Sequence, residues 1–100
     1  RPEARYYDPE FLKKLTGNYV LLNQASTVSL QGNTLTFYVP GQPLYELVPD
    51  LGDEFYLKQA PLIRVRFIFG PKGEVTGLET IQPNGVFEFK KMEKKEPDKK

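Results

Sequence analysis

From Asn18 onward, apolar and polar residues alternate in short runs, broken roughly every ten residues by Gly, Pro, Asn or Asp. A strand sends successive side chains to opposite faces, so this alternation predicts strands with one buried face. Eight such runs occur, at residues 18–23, 26–31, 34–39, 43–48, 53–58, 63–69, 74–81 and 85–92. The breaks NQAS, GN, PGQP, PDLGD, QAPL, GPKG and QPNG are all short. A parallel connection needs a crossover of about a dozen residues or more, so the runs predict an antiparallel meander.

Turn chemistry sets the register. Gly32-Asn33 suits a two-residue hairpin, which pairs Leu30 with Leu35 and Val28 with Phe37 and puts all four on one face. Pro71-Lys72-Gly73 and Pro83-Asn84-Gly85 read as one turn solution used twice, a proline corner followed by a glycine bulge. The alternation turns Tyr19, Leu21, Val28, Leu30, Leu35, Phe37, Val39, Tyr45, Leu47, Phe55, Leu57, Val65, Phe67, Phe69, Val75, Phe87 and Phe89 to the apolar face. Thr27, Ser29, Thr34, Thr36, Glu46, Lys58, Arg64, Arg66, Glu88 and Lys90 fall on the other. Strand seven is ambiguous, because Gly77 is a candidate bulge.

One apolar face on an eight-stranded meander has to be covered, and closing the sheet on itself does this without leaving an edge. The fold expected is therefore all-β, an eight-stranded antiparallel up-and-down barrel. One short helix is predicted over 9–16. Asp8 caps it, Pro9 suits its first position, Glu10 and then Lys13 and Lys14 suit its dipole, and Gly17 stops it. Phe11, Leu12 and Leu15 give it an apolar stripe, so it is expected to close one end of the barrel. Residues 1–7 read as a linker, with Tyr6 and Tyr7 available for packing; 8–93 read as the barrel domain and 94–100 as a solvated charged tail.

Composition narrows the chemistry. The 100 residues hold no His and no Cys, which removes the usual general base, the usual thiolate and two common metal ligands. A net charge of +1 gives no field to attract nucleic acid, and no apolar run approaches the length of a membrane span. The chain begins at Arg1 and its one methionine is Met92, which reads as an excised domain or a processed chain. Ser26 and Ser29 sit in no nucleophile motif and read as strand and turn hydroxyls. Asp50, Asp53 and Glu54 are candidates for acid–base work or for holding Ca²⁺, but their spacing is no calcium loop and acidic residues commonly form turns. Arg64 and Arg66 alternate with Val65 and Phe67, so charge and ring face opposite ways; external pairing with Glu46, Glu74 or Glu88 is expected rather than base stacking.

The landmarks FLKKLTGNY, the V-S-L strand, the GN hairpin with L-T-F, GQPLYELVPDLGDEFYLK, the F-I-F strand, GEVTGLE and NGVFEFKK together form a pattern. It resembles the small lipocalin-like barrel at the C-terminus of serine beta-lactamase-related hydrolases, a module also found on some other bacterial enzymes and repeat proteins. The resemblance covers residues 8 to 93, and its most specific part is Gln42-Pro43 followed by Tyr45, Leu47, Pro49 and Phe55. It implies a barrel of the lipocalin and streptavidin type that accompanies a catalytic domain in cis, shapes or covers its active site or mediates assembly, and supplies no nucleophile. No catalytic residue, metal or cofactor carries over.

The chain is thus expected to be a non-catalytic accessory barrel of a larger bacterial hydrolase, periplasmic or extracellular, with homo-oligomerisation through the parent. The alternative is a free-standing carrier of a small apolar ligand, held in the interior by Phe37, Tyr45, Phe55, Phe67 and Phe87.

Overall fold

The computed structural model describes residues 1–93. After a 3-10 turn at Ala4–Tyr7 and the helix α1 (Pro9–Lys13) come eight strands: β1 (Gly17–Leu21), β2 (Gln24–Gln31), β3 (Thr34–Tyr38), β4 (Tyr45–Pro49), β5 (Glu54–Leu57), β6 (Ala60–Phe69), β7 (Val75–Gln82) and β8 (Gly85–Lys91). They close into one barrel in chain order, each antiparallel to the next, as the alternation predicts. The seam between β1 and β8 is short. Tyr19 faces Lys91, Val20 faces Lys90, and the Met92 amide donates to Asn18 O at 2.8 Å.

The β2–β3 hairpin has the predicted register, Leu30 opposite Leu35 and Val28 opposite Phe37, with Gly32 at φ 63 at its first corner. Every residue assigned to the apolar face belongs to the core cluster or packs against it. The two proline turns differ, however. Gly73 is left-handed at φ 80, whereas Gly85, at φ 144, already pairs with Gln82 as the first residue of β8.

Strand seven resolves through a bulge one residue before the expected one. Ile68 pairs with Gly77 and Phe69 with Val75, so Thr76 is the extra residue and the parity of β7 flips across it. Val75 therefore packs inward before the bulge, and Leu78 and Thr80 lie buried after it. Gly77 itself meets β8 closely: a Cβ built on it would stand 2.5 Å from Phe89 O. In β6 the register slips further. Tyr56 pairs with Arg64 but Leu57 pairs with Ala60, so Pro61, Leu62 and Ile63 form an excursion on the β6 side.

Several boundaries differ from the expected ones. The break expected at NQAS, residues 23–26, moves to Leu22-Asn23, because Ala25 and Ser26 pair in β2 with Val20 and Tyr19. Ser26 points inward and its hydroxyl donates to Tyr19 O at 3.0 Å, a polar position inside an apolar face. The helix ends at Lys13; the Lys14, Leu15 and Thr16 amides continue with bonds to residues three back, so the last turn tightens to 3-10 geometry.

Residues 1–7, expected as a linker, instead carry the 3-10 turn, and Tyr6 is buried in the core. Its ring meets Phe11 and Phe55 edge to face, both at 5.4 Å. Together with Leu12 and Leu15 it plugs the barrel end that carries the β2–β3, β4–β5 and β6–β7 connections. Thr36, assigned outward, is nevertheless buried. The expected tail lies outside the described residues.

Candidate functional site

The two ends of the barrel are chemically unlike. At the helix end the connections hold Asp50, Asp53, Lys72 and Glu74. Two arginines of β6 converge there on the carboxylates. Glu54 bridges both, Oε1 to Arg64 Nε and Oε2 to Arg66, each at 2.5 Å, while Arg64 also donates to Asp50 Oδ2 at 2.6 Å. The expected partners Glu46, Glu74 and Glu88 do not take part, because β5 lies beside β6 and sets Glu54 directly opposite Arg66. Arg64, then Arg66, hold the Glu54 carboxyl below its ordinary range, and Arg64 with the Leu51 amide does the same to Asp50.

Carboxylates held ionised by guanidinium groups are poor proton donors, and these are tied into one ion-paired network. Asp53 is engaged elsewhere, accepting from the Tyr6 hydroxyl at 3.0 Å. Among the described residues no three acidic side chains gather where a metal ion would sit. No described helix is long and apolar enough to cross a membrane.

The opposite end is open. Its four connections are Leu22-Asn23, residues 39–44, Lys58-Gln59 and Pro83-Asn84, and Lys58 is their one charged residue. Lys58 is turned to Glu46, at 3.8 Å. Around this end stand exposed apolar side chains: Leu22 (90%), Leu62 (80%), Val86 (58%), Leu44 (51%) and Tyr38 (41%). Leu22 also holds φ 53, a left-handed conformation that costs a leucine about 1–2 kcal/mol. The helix end has its own exposed apolar groups, Tyr7, Leu51 and Met92, but they stand among charges.

At this end the mouth of the barrel is a half-open depression of about 260 Å³ above a packed interior. Phe37, Tyr45, Leu57, Ile63 and Phe89 give it apolar walls, and Gln24, Gln42, Thr80 and Gln82 are its neutral polar groups. Outside the barrel wall, Ala60, Pro61, Leu62 and Pro83 line an apolar depression that shares Ile63 and Gln82 with the mouth. The β6 excursion produces both features, since it brings Ile63 to the mouth and leaves Leu62 outside.

Of the five interior aromatics expected to line a ligand site, Phe37 and Tyr45 line the mouth. Phe55 and Phe67 lie deeper, edge to face at 5.6 Å, with Tyr6 against the first and Tyr19 against the second. They fill the closed half of the barrel as packing. Phe87 is half-buried, its ring tip 3.5 Å from where a Cβ on Gly85 would stand. The glutamines and Thr80 escape a reading by apolar periodicity, which passes over neutral polar residues. No family model matches the chain, and no curated protein matches it in sequence.

Proposed function

We propose that this chain is a non-catalytic accessory barrel, and that it works by docking its open, uncharged end on the catalytic domain of a larger hydrolase of the kind its sequence resembles. The observation that carries this reading is Leu22. A leucine 90% exposed in a left-handed turn costs stability in backbone conformation and gains almost nothing from burial, where glycine would serve the turn better. Strain of this kind persists where a side chain has work to do.

Leu22 stands with Leu44, Leu62 and Val86 around an end whose connections carry one charge, a composition suited to the core of an interface. The ion-paired carboxylates and the lack of His and Cys favour a role without chemistry of its own. The test is the longer protein carrying Leu22→Glu with Leu62→Glu, beside Leu51→Glu at the helix end. The rim pair should reproduce the change in substrate range or assembly seen on deleting the barrel, and Leu51→Glu should not. A rim pair that leaves both unchanged where deletion alters them contradicts the proposal.

A further inference from the structure

We infer that the edge of β8 beside the barrel seam takes an added strand: a short extended segment of a partner polypeptide, antiparallel to β8, with a lysine or arginine two residues before an apolar residue. This goes beyond the docking role, because it rests on backbone groups and charge and not on the exposed leucines.

The seam leaves an edge that closure removes elsewhere. β7 pairs with β8 from Gly85 to Lys90, whereas β1 pairs only with Lys90 and Lys91. Continued in the same register, β1 would set Leu22 opposite Glu88. Leu22 instead takes φ 53 and turns toward β2, so the ladder stops. Gly85–Glu88 therefore run on past the end of β1 for about 13 Å.

The phase of the ladder fixes which backbone groups are free. The Met92 amide donates to Asn18 O. Residues that exchange bonds with one neighbouring strand alternate along an antiparallel pair, so Lys90, Glu88 and Val86 turn their N–H and C=O toward the β1 side. Lys90 meets Val20 there. The N–H and C=O of Glu88 and Val86 meet no partner on that side among the described residues. Groups presented in this way form a template for a further strand.

Charge selects the strand. Glu88 stands opposite Glu79 at a position that exchanges no hydrogen bonds with β7, where the side chains of an antiparallel pair come closest. Like charges directly opposite destabilise a sheet, and neither glutamate has an ion-pair partner among the described residues. Arg66, on the other side of Glu79, is taken by Glu54. One acid on an edge guards it against promiscuous pairing, but two acids at one level call for a cation.

A lysine or arginine opposite Glu88 on the added strand supplies that cation. The residue two further along falls opposite Val86, 58% exposed, where an apolar side chain covers it. The same acid excludes a second copy of this chain as the occupant, since the free stretch Gly85–Glu88 carries an acid and no base.

The experiment is amide NMR on the whole chain, first free and then titrated with the peptide acetyl-Thr-Lys-Thr-Val-Thr-amide. In the free chain the Val86 and Glu88 amides should exchange at least about tenfold faster than those of Phe87 and Phe89, which face β7. The peptide should slow both and give saturable shifts at Val86 and Glu88, with none at residues 50–53. N-methylation of its lysine and valine, whose amides face β8, should abolish binding; N-methylation of its central threonine should not. Replacing its lysine by glutamate should weaken binding about threefold or more. Glu88→Lys in the chain should reverse that preference, and this variant removes a like-charge pair, so it is expected to fold.

Slow exchange of Val86 and Glu88 in the free chain, no saturable shift, binding that survives methylation of the lysine and valine, equal binding of the two charge forms, or a dimer of the free chain at the concentration used overturns the inference. None of these outcomes decides the docking test with Leu22→Glu and Leu62→Glu, so the two readings fail separately.

Discussion

The Tyr6 hydroxyl donates to Asp53 Oδ1 at 3.0 Å, a bond between residues 47 positions apart that fastens the first turn of the chain to the loop before β5. Arg5 reinforces the clasp. Its guanidinium donates to the same hydroxyl and lies over the rings of Tyr6, Phe11 and Phe69 at 4.8–5.6 Å. Asp53 can hold φ 59 because a short polar side chain tolerates that conformation.

If this segment is a plug and not a linker, Tyr6→Phe should cost about 1 kcal/mol, the value of one hydrogen bond, and Tyr6→Ala about 3–5 kcal/mol. Urea denaturation measures both. A cost near zero for Tyr6→Ala would return residues 1–7 to the status of a linker.

Gly77 has no room for a side chain. Because a Cβ there would stand 2.5 Å from the Phe89 carbonyl oxygen, Gly77→Ala must part β7 from β8. Gly32 is the contrast: left-handed, with nothing within 4 Å. Gly32→Ala should cost about 1–2 kcal/mol from conformation alone. Gly77→Ala should cost more than that, lowering Tm by upwards of about 10 °C at roughly 4–8 °C per kcal/mol. Equal Tm values for the two variants would contradict the close approach of the strands.

Stability should fall at both pH extremes for separate reasons. Glu54 and Asp50 have carboxyls lowered in the folded chain by Arg64 and its neighbours, so their contribution is complete above the unfolded values of about 4.3 and 3.9. It is lost as pH drops through the lowered folded-state values. Glu54→Gln should flatten this acid limb, and cost about 1 kcal/mol at pH 7, since the network lies at the surface.

At the other extreme, burial pushes the Tyr19 phenol up, and its hydroxyl donates to Leu15 O at 2.6 Å. A raised folded-state value gives stability that is full below about pH 10 and is lost as pH rises beyond it. Tyr19→Phe should remove that alkaline dependence. Chemical denaturation from pH 2 to 12 follows both limbs.

Much of the barrel is legible in the sequence because its inward positions carry large apolar side chains at period two. Leu30 opposite Leu35 and Val28 opposite Phe37 follow from Gly32-Asn33 alone. What hides is whatever breaks the period or fills it with a polar group. The extra residue Thr76 flips the parity of β7, so Leu78 and Thr80 cannot be placed by counting from Val75. Ser26 faces inward as a hydroxyl, and Tyr6 packs from a segment with no periodicity at all.

The candidate site divides in the same way. Phe37 and Tyr45 are recognisable as inward aromatics, but which end of the barrel each occupies depends on closure. Gln42, Gln82 and Thr80 read as turn and strand residues until the fold brings them together.

Leu22 separates stability from function. Leu22→Gly removes an exposed side chain and relieves φ 53, so it should raise stability by about 1 kcal/mol or leave it unchanged, while weakening any contact made by the rim. Thermal unfolding checks the first effect. A marked fall in Tm would show that Leu22 serves the fold.

The most direct measurement of the open end as the working face is amide hydrogen exchange, comparing the isolated barrel with the same barrel joined to the hydrolase domain of the proposed accessory role. Exchange should slow in the protein at residues 22–23, 39–44, 58–62 and 83–86, which form the open end, and stay unchanged at 50–53 and 70–74. Slowing confined to the helix end, or no difference anywhere, would contradict the account.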